Sequence, residues 1–248
     1  MATQETPIWF RTTCRQNGID VSDHQLSELE KFASLLLEWN IKINLISRRD
    51  EANIWTYHIL HSASILFKLD IRHGAVVLDL GTGGGLPGIP LKILRPDITI
   101  TLLDSTQKKI NVVREMVDTL GLKGVNVVWG RAEDLGKKTE YAHTFDVVIA
   151  RAVASLKDLL DWSAPFLRRQ ERHDRGDEFN EGRAVIGPSL IALKGGNLDS
   201  ELRQIERDRR VDNISIINLT LEGSSQLEGE DKKIVVVKFG PGRQQKED

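Results

Sequence analysis

Two apolar patterns divide the chain near residue 74. Before that point, apolar residues recur at the spacing of an amphipathic helix, which we expect to begin at a capping box formed by Ser22 and Gln25. The same periodicity predicts a second helix over residues 54–67. The apolar positions of the first helix are Leu26, Leu29, Ala33, Leu36 and Leu37. Residues 1–73 are therefore predicted to form a helical N-terminal extension.

From Ala75 onward, short apolar runs bounded by turn residues predict β-strands. Segments of helical periodicity separate the first five runs, most clearly from Thr106 to Leu120, where Gly121 ends the pattern. This alternation predicts an α/β fold whose mostly parallel sheet carries helices on both faces. No helical pattern separates the last two runs, so we expect them to form an antiparallel hairpin at one edge. The seven runs are AVVLDL, ITITLL, VNVVW, FDVVIA, LIALK, NISIINL and KIVVVKF.

The composition is that of a globular protein with a sizeable core: of 248 residues, 40% are hydrophobic and 28% are charged. The single cysteine, Cys14, excludes an intramolecular disulfide and a cysteine-rich metal site. No apolar run reaches the roughly 18 residues of a membrane-spanning helix, and the N-terminus lacks the apolar core of a secretory signal. We therefore expect a cytosolic protein. The net charge of -2 neither supports nor excludes an RNA partner.

One charged segment fits neither pattern. The stretch RRQERHDRGDEFNEGR, Arg168 to Arg183, contains five arginines, five acidic residues and almost no apolar side chain. Mixed charge without periodicity is typical of an exposed loop. We interpret residues 168–188 as a solvated insertion in a domain that covers residues 74–240, with a flexible tail at 241–248. An RNA-contacting arm is the alternative for the charged segment.

A glycine-rich loop follows the first predicted strand, in the stretch VVLDLGTGGGLPGIPL, Val76 to Leu91. Gly81, Gly83 and Gly85 alternate at the carboxyl end of a strand, where open parallel sheets bind their ligands. The dinucleotide fingerprint G-x-G-x-x-G needs Gly or Ala at the position that Leu86 occupies in this chain. The loop therefore departs from the pattern of NAD-binding proteins.

A carboxylate, Asp104, ends the second predicted strand, 23 residues after Gly81. A carboxylate at that place can accept hydrogen bonds from both hydroxyls of a ribose. Together with the glycine loop and the seven-strand pattern, it makes the chain resemble the class I S-adenosylmethionine-dependent methyltransferases, which have a Rossmann-like fold. The alternative is an NAD-type fold in which Asp104 is a surface carboxylate.

Seven motifs between residues 38 and 239 give a narrower resemblance. They stand in the order found in the RsmG (GidB) family, whose members methylate N7 of a guanine in bacterial 16S ribosomal RNA. The chain departs from the family pattern at His61, where the family usually has aspartate, and in the length of its charged segment. The motifs are WNIKINLIS, HILHS, LDLGTGGGLPGIPLKILRP, LLDSTQKK, GRAED, ARAVASL and LIALKGG.

The resemblance implies S-adenosylmethionine as the cofactor, with the glycine loop at its methionine end and Asp104 at its ribose. An arginine fork suits a carboxylate or a phosphate, which gives Arg151 a physical reason to belong to the set. Considered alone, Glu133 would be interpreted as a solvated loop acid. The implied cofactor-binding residues are Gly81, Gly83, Gly85, Leu86, Asp104, Ser105, Thr106, Ala132, Glu133 and Arg151.

The implied reaction needs no general base, because N7 of guanine already carries a lone pair. Alignment of the nitrogen, the methyl carbon and the sulfur would be most of the catalysis. No Ser/His/Asp set and no metal cluster stands at a recognisable spacing, and we expect no metal. The candidates for a catalytic contribution are Arg151, Lys194 and Asn44, although Asn44 equally fits a turn cap. We interpret His58 as a structural histidine.

The implied partner is 16S ribosomal RNA or a precursor of the small ribosomal subunit, and we expect a monomer that binds no membrane. The RNA-binding candidates are Lys42, Arg48, Arg49, Arg114, Arg151 and Lys194. Trp39 fits either a stacking platform for an extruded base or a core position. Two other functions stay open: a class I methyltransferase acting on a small molecule or a protein, and a non-catalytic cofactor-binding module that interacts with the ribosome.

Overall fold

The computed structural model of the chain describes residues 6–169 and 184–240. Most of the charged segment (170–183) and the predicted tail (241–248) lie outside the described residues. Two turns of irregular helix, a 3-10 helix (Arg48–Asn53) and a π-helix (Trp55–Leu60), stand between α2 and α3. The α-helices of the described part are α1 (Pro7–Gln16), α2 (Asp23–Lys42), α3 (His61–Lys68), α4 (Gly88–Leu94), α5 (Gln107–Leu120), α6 (Ala132–Leu135), α7 (Leu156–Ser163), α8 (Asp199–Ile205) and α9 (Gln226–Gly229).

All seven predicted strands are present, and they form one sheet in the order β4 (Val125–Trp129), β3 (Thr99–Asp104), β2 (Val76–Leu80), β5 (Val147–Arg151), β7 (Ser189–Gly195), β9 (Lys232–Phe239) and β8 (Val211–Asn218). The first five are parallel to one another, and β9 pairs antiparallel with both β7 and β8. The predicted class I architecture with an antiparallel edge hairpin is therefore confirmed. The other strands of the described residues are β1 (Leu69–Ile71) and β6 (Ala184–Ile186).

Two features of the fold were not predicted. Strands β1 and β6 pair in parallel as a separate two-stranded sheet, with Leu69 opposite Ala184. The segment interpreted as a loop through residue 188 therefore contains a strand at its end. Helix α9 stands between β8 and β9, where no helix was expected. Runs of three or four residues are too short to show a period in the sequence, so only tertiary pairing defines them.

The sheet separates two apolar clusters. Neighbouring residues of β2 point to opposite faces, and accordingly Val77 belongs to one cluster and Leu78 to the other. The first cluster extends through Ile89 of α4 to Leu29 of α2, and the second contains Leu160 of α7. The N-terminal helices thus share a core with one face of the sheet.

The start of α2 is fixed to the end of α4. The predicted capping box is confirmed: the Ser22 hydroxyl accepts the Gln25 N–H at 3.2 Å, and Gln25 Oε1 accepts the Ser22 N–H at 3.0 Å. The Gln25 side-chain amide also donates to the carbonyls of Ile93 and Leu94, both at 3.1 Å. Carbonyls in the last turn of a helix lack partners within the helix. Gln25 supplies a donor to these two carbonyls of α4 and thereby orients α2 against it.

Helix α4 begins directly after the glycine loop, at Gly88. Pro87 precedes the helix as its N-cap residue, and the peptide bond from Leu86 to Pro87 is cis. Across the described ranges, no helix has both the length and the apolar character that crossing a membrane requires.

Candidate functional site

The glycine loop lies at the carboxyl end of β2, beside the point where the chain order reverses between β2 and β5. Gly81, Gly83 and Gly85 have φ angles of +74°, +58° and +86°, which residues with a side chain rarely adopt. The N–H groups of Gly81 and Thr82 donate to the Leu103 carbonyl at 2.8 and 2.9 Å. Because of these bonds, the loop stays against the end of β3.

A buried carboxylate supports the loop from below. Asp79 Oδ2 accepts the Thr82 hydroxyl at 2.6 Å and the Gly88 N–H at 2.8 Å, and the residue has no solvent exposure. Burial raises the pKa of Asp79 to about 7, against the lowering effect of these two hydrogen bonds. Asp79 therefore shapes the glycine turn without reaching the open site.

Asp104 connects the loop to the start of α5. Its Oδ2 accepts the Gly83 N–H at 2.9 Å, and its Oδ1 accepts the Thr106 N–H at 2.7 Å. Each carboxylate oxygen can accept more than one hydrogen bond, so both keep acceptor capacity for a ligand. The sequence predicted a ribose-binding acid at this position, and the structure adds its role in holding the loop.

Two clefts meet at Asp104. The first, of about 330 Å³, is lined by Gly81, Gly83 and Leu86 of the loop, by Ser105 and Thr106, and by Arg151 after β5. The second, of about 320 Å³, is lined by Ala132 and Glu133 at the start of α6. The residues common to both clefts are Gly81, Asp104, Ser105 and Val153.

Nine of the ten predicted cofactor-binding residues thus line one cleft or the other. The exception is Gly85, which is buried, and a Cβ there would meet the side chain of Ile89. Gly85 therefore provides the positive φ that the turn needs and leaves space for Ile89 of α4 to pack against the loop. Glu133 is exposed at the rim of the second cleft.

Arg151 is held by the irregular helix before α3. One of its terminal nitrogens donates to the Tyr57 carbonyl and the other to His58 Nδ1, both at 2.9 Å. Burial lowers the pKa of Arg151 to about 10, so the guanidinium stays charged at neutral pH. The side chain lines the first cleft.

The other two catalytic candidates lie outside the two clefts. Lys194 Nζ donates to the Ala154 carbonyl at 2.9 Å and pairs with Glu201 Oε2 at 2.8 Å, which supports the loop after β5. Asn44 is exposed in the turn after α2, next to Leu45, which lines the first cleft. That turn is shaped by the buried Asn40, whose Oδ1 accepts the N–H groups of the residues at 45 and 46 at 2.8 and 2.9 Å.

The RNA-binding candidates separate into two places. Lys42, Arg48 and Arg49 are exposed close to the same turn, and the Lys42 ammonium lies 4.4 Å from the ring centre of Trp39. Trp39 itself is partly buried against the core. Arg114 donates to the Val127 carbonyl at 3.2 Å and lines a separate cleft along β4. The structure therefore does not bring Arg114 together with the other candidates.

Several cleft residues were missed in the sequence. Val153 lies over Gly81 where the two clefts meet, after Ala152, whose φ of +53° is unusual for a residue other than glycine. Lys109 and Leu45 line the first cleft, and Trp162 lines the second. Val153 stands in the ARAVASL motif, which could have identified it, but no local signal distinguishes Lys109 from its neighbour Lys108.

His61, the departure from the family pattern, is buried at the start of α3, and within residues 6–169 and 184–240 its Nε2 has no hydrogen-bond partner. Burial lowers the pKa of His61 well below its usual range, with a further lowering by Arg151. The histidine is therefore neutral and packed within the protein. Among the residues that the structure describes, no group of three His, Cys, Asp or Glu side chains could hold a metal ion.

Sequence comparison with known proteins identifies the family of this chain. The family described as rRNA small subunit methyltransferase G (GidB) matches residues 25–173. The protein named ribosomal RNA small subunit methyltransferase G from Moorella thermoacetica is 36% identical over 196 residues, which cover 77% of this chain and 75% of that protein. Its namesake from Chlorobaculum tepidum is 41% identical over 191 residues, covering 77% of this chain and 78% of that protein.

Among solved structures, a SAM dependent methyltransferase from Aquifex aeolicus has a TM-score of 0.48 and 16% identity, covering 72% of this chain and 88% of that one. The family match and the two relatives confirm the resemblance predicted from the seven motifs. The chain belongs to the rRNA small subunit methyltransferase G (GidB) family.

Proposed function

We propose that this protein transfers a methyl group from S-adenosylmethionine to N7 of a guanine in 16S ribosomal RNA. The observation that carries the proposal is the pair of clefts that meet at Asp104, beside the reversal of strand order, in a chain of this family. Open parallel sheets bind ligands at such a reversal. The names of the relatives supply the ribosomal RNA as the class of substrate.

The residues of the two clefts fit S-adenosylmethionine. An added Cβ at Gly81 would lie 2.6 Å from Val153 Cγ2. A larger residue at position 81 would therefore displace Val153, which lines both clefts. Asp104 would accept the ribose hydroxyls at the junction of the clefts. The second cleft, with Ala132 and Glu133, would hold the adenine. The first cleft, with Arg151, would hold the charged amino-acid end.

The chemistry needs little from the protein besides alignment. S-adenosylmethionine supplies an electrophilic methyl group on a sulfonium, and N7 of guanine supplies its own lone pair. The chain must then bind and orient the two reactants and limit the access of water. The positive charge moves from the sulfonium to guanine in this step, so we expect polar or acidic groups beside the purine to favour the reaction electrostatically. Lys194 is already paired with Glu201, which makes it a support for the loop after β5.

The face that would receive the RNA is the turn after α2 together with the 3-10 helix. Lys42, Arg48 and Arg49 are exposed there, and Asn44 lies between them beside Leu45 of the first cleft. Basic side chains of this kind contact phosphates and position the substrate without reading its sequence. The target would be met in the cytosol. There we propose that the protein acts as a monomer.

The test is incubation of the purified protein with S-adenosylmethionine that carries a labelled methyl group. Naked 16S RNA, small ribosomal subunits and total protein would be offered separately, and labelled RNA would be digested and mapped by mass. We expect label on N7 of a guanine, and less of it with an Asp104→Ala variant when the cofactor is limiting. Label on protein or on a small molecule would favour a different methyltransferase, and cofactor binding without any transfer would favour the non-catalytic module.

A further inference from the structure

The guanidinium of Arg151 rests on a buried histidine from a distant part of the chain. His58 lies 93 residues earlier, in the π-helical turn, and its Nδ1 is 2.9 Å from a terminal nitrogen of Arg151. The histidine is 6% exposed, and the arginine lines the first cleft. The Tyr57 carbonyl accepts from the other terminal nitrogen, so two neighbouring groups of one helix hold both ends of the fork.

This contact defines the protonation state of the histidine. A guanidinium can only donate hydrogen bonds, so His58 Nδ1 must present its lone pair to Arg151. A neutral imidazole then carries its hydrogen on Nε2. That nitrogen is buried, has no hydrogen-bond partner among the described residues and lies 3.7 Å from Asp50 Oδ2. The negative charge on that side of the ring favours a hydrogen on Nε2.

The surroundings keep His58 neutral. Burial and the positive charges of Arg151 and Lys232 lower the pKa of His58 to about 3. The neighbouring His61 is also buried and neutral. Asp50 lies beside Nε2 of His58. Asp79, beneath the glycine loop, raises the pKa of Arg151 through its negative charge. A protonated His58 would place a second positive charge against the guanidinium, which these groups do not offset.

We propose that His58, as the neutral Nε2–H tautomer, is a positioning residue that orients the Arg151 guanidinium for the cofactor. His58 does not reach the cleft itself. It occupies one donor of Arg151 and leaves the remaining N–H groups for an anionic group in the first cleft, which we assign to the carboxylate of S-adenosylmethionine. The inference rests on the proposed function for the identity of that ligand. It replaces the interpretation of His58 as a merely structural histidine.

Three substitutions of His58 distinguish its hydrogen-bonding role towards Arg151 from a role in packing alone. In His58→Asn the amide oxygen can take the place of Nδ1, whereas in His58→Gln it reaches towards the position of Nε2. His58→Leu offers no acceptor at all. We expect the dissociation constant of S-adenosylmethionine, measured by calorimetry, to rise less than about threefold for Asn and about tenfold to a hundredfold for Gln and Leu, because a hydrogen bond to a charged group is lost. Equal losses in all three variants, or none in any, would overturn the proposal.

A second measurement needs no variant and no cofactor. In protein labelled with nitrogen-15 in its histidines, NMR distinguishes the two ring nitrogens of His58. We expect a protonated Nε2 and an unprotonated Nδ1 at every pH from 6 to 8. Protonation of Nδ1 in that interval would overturn the inference whatever the protein methylates. If the wild-type protein bound no S-adenosylmethionine, that result would contradict the proposed function. The NMR result would then decide the inference about His58 on its own.

Discussion

The Asp104 carboxylate accepts the backbone N–H of Gly83 at 2.9 Å and so joins the end of β3 to the loop that follows β2. The same side chain lines both clefts. One residue therefore shapes the site and offers it an acceptor, and its removal has two separable effects. The loop is deprived of a hydrogen bond that fixes it, and the ligand is deprived of a charged partner.

Asp104→Ala is expected to weaken binding of S-adenosylmethionine by about 1 to 3 kcal/mol, because charge-assisted hydrogen bonds to the ribose are lost. Calorimetric titration measures this, and urea unfolding of the same protein measures how much the hydrogen bonds to the loop stabilise the fold. Asp118→Ala is a matched control, since Asp118 is an exposed acid on α5 outside both clefts. Unchanged cofactor affinity in the Asp104 variant would disprove the assignment.

Gly81→Ala should impair cofactor binding much more than the strain of its backbone explains. Gly121 is the matched control, because its φ of +66° is close to the +74° of Gly81 while nothing lies within 4 Å of an added Cβ. Both variants should lose about 1 kcal/mol of stability from the left-handed backbone. Only Gly81→Ala also displaces Val153 at the junction of the clefts. Equal cofactor affinities in the two variants would contradict this account.

The stability of the protein should carry a pH-dependent contribution from Asp79. Burial raises the pKa of this carboxyl from 3.8 to about 7, so the folded state keeps its proton where the unfolded state loses it. The resulting stabilisation is complete below pH 3.8 and is lost as the pH rises to about 7.

Asp79→Asn isolates that contribution, because Asn cannot ionise and its oxygen can still accept from Thr82 and Gly88. The free energy of unfolding of wild type minus that of the variant should fall between pH 4 and 7, by at most about 1.4 kcal/mol per pH unit, and then level off. His58 and His61 act in the opposite sense in both proteins, since their lowered pKa values make acid destabilising. A difference that stays flat or rises would show that Asp79 is ionised throughout.

Removal of Arg48 and Arg49 together should raise the KM for ribosomal RNA with little change in kcat. For each ion pair with a phosphate that is removed, the slope of log affinity against log salt should become shallower by about 0.7 to 0.9. Arg114→Ala should change neither the KM for ribosomal RNA nor the salt slope, because Arg114 lines the separate cleft along β4. Binding titrations at several salt concentrations test both variants. A reduced slope for Arg114→Ala would move the RNA to a different face of the protein.

The sequence predicted the elements whose pattern is local. The short apolar runs bounded by turn residues predicted all seven strands of the main sheet, and Asp104 stood out because it ends one of them. The long helix α5 was recognisable from Ile110 and Val113 on its apolar face and from Gly121 at its end, whose φ is +66°. Each of these signals lies within a stretch of about ten residues.

What the sequence did not reveal depends on contacts between distant segments. The hydrogen bond between Arg151 and His58 joins residues 93 positions apart, and nothing near either residue indicates it. The same is true of the pairing of Leu69 with Ala184. Arg114 was predicted on the helix after Asp104, but its hydrogen bond to the Val127 carbonyl of β4 could be known only from the packing of that helix.

Mass mapping of methylated nucleotides in 16S ribosomal RNA from cells with and without this gene shows whether the protein methylates a guanine N7. We expect one guanine N7 methyl group to be missing in the deletion strain, to return with the wild-type gene and to return only in part with the Asp104→Ala variant. Survival of every guanine N7 methyl group after deletion would contradict the proposed function.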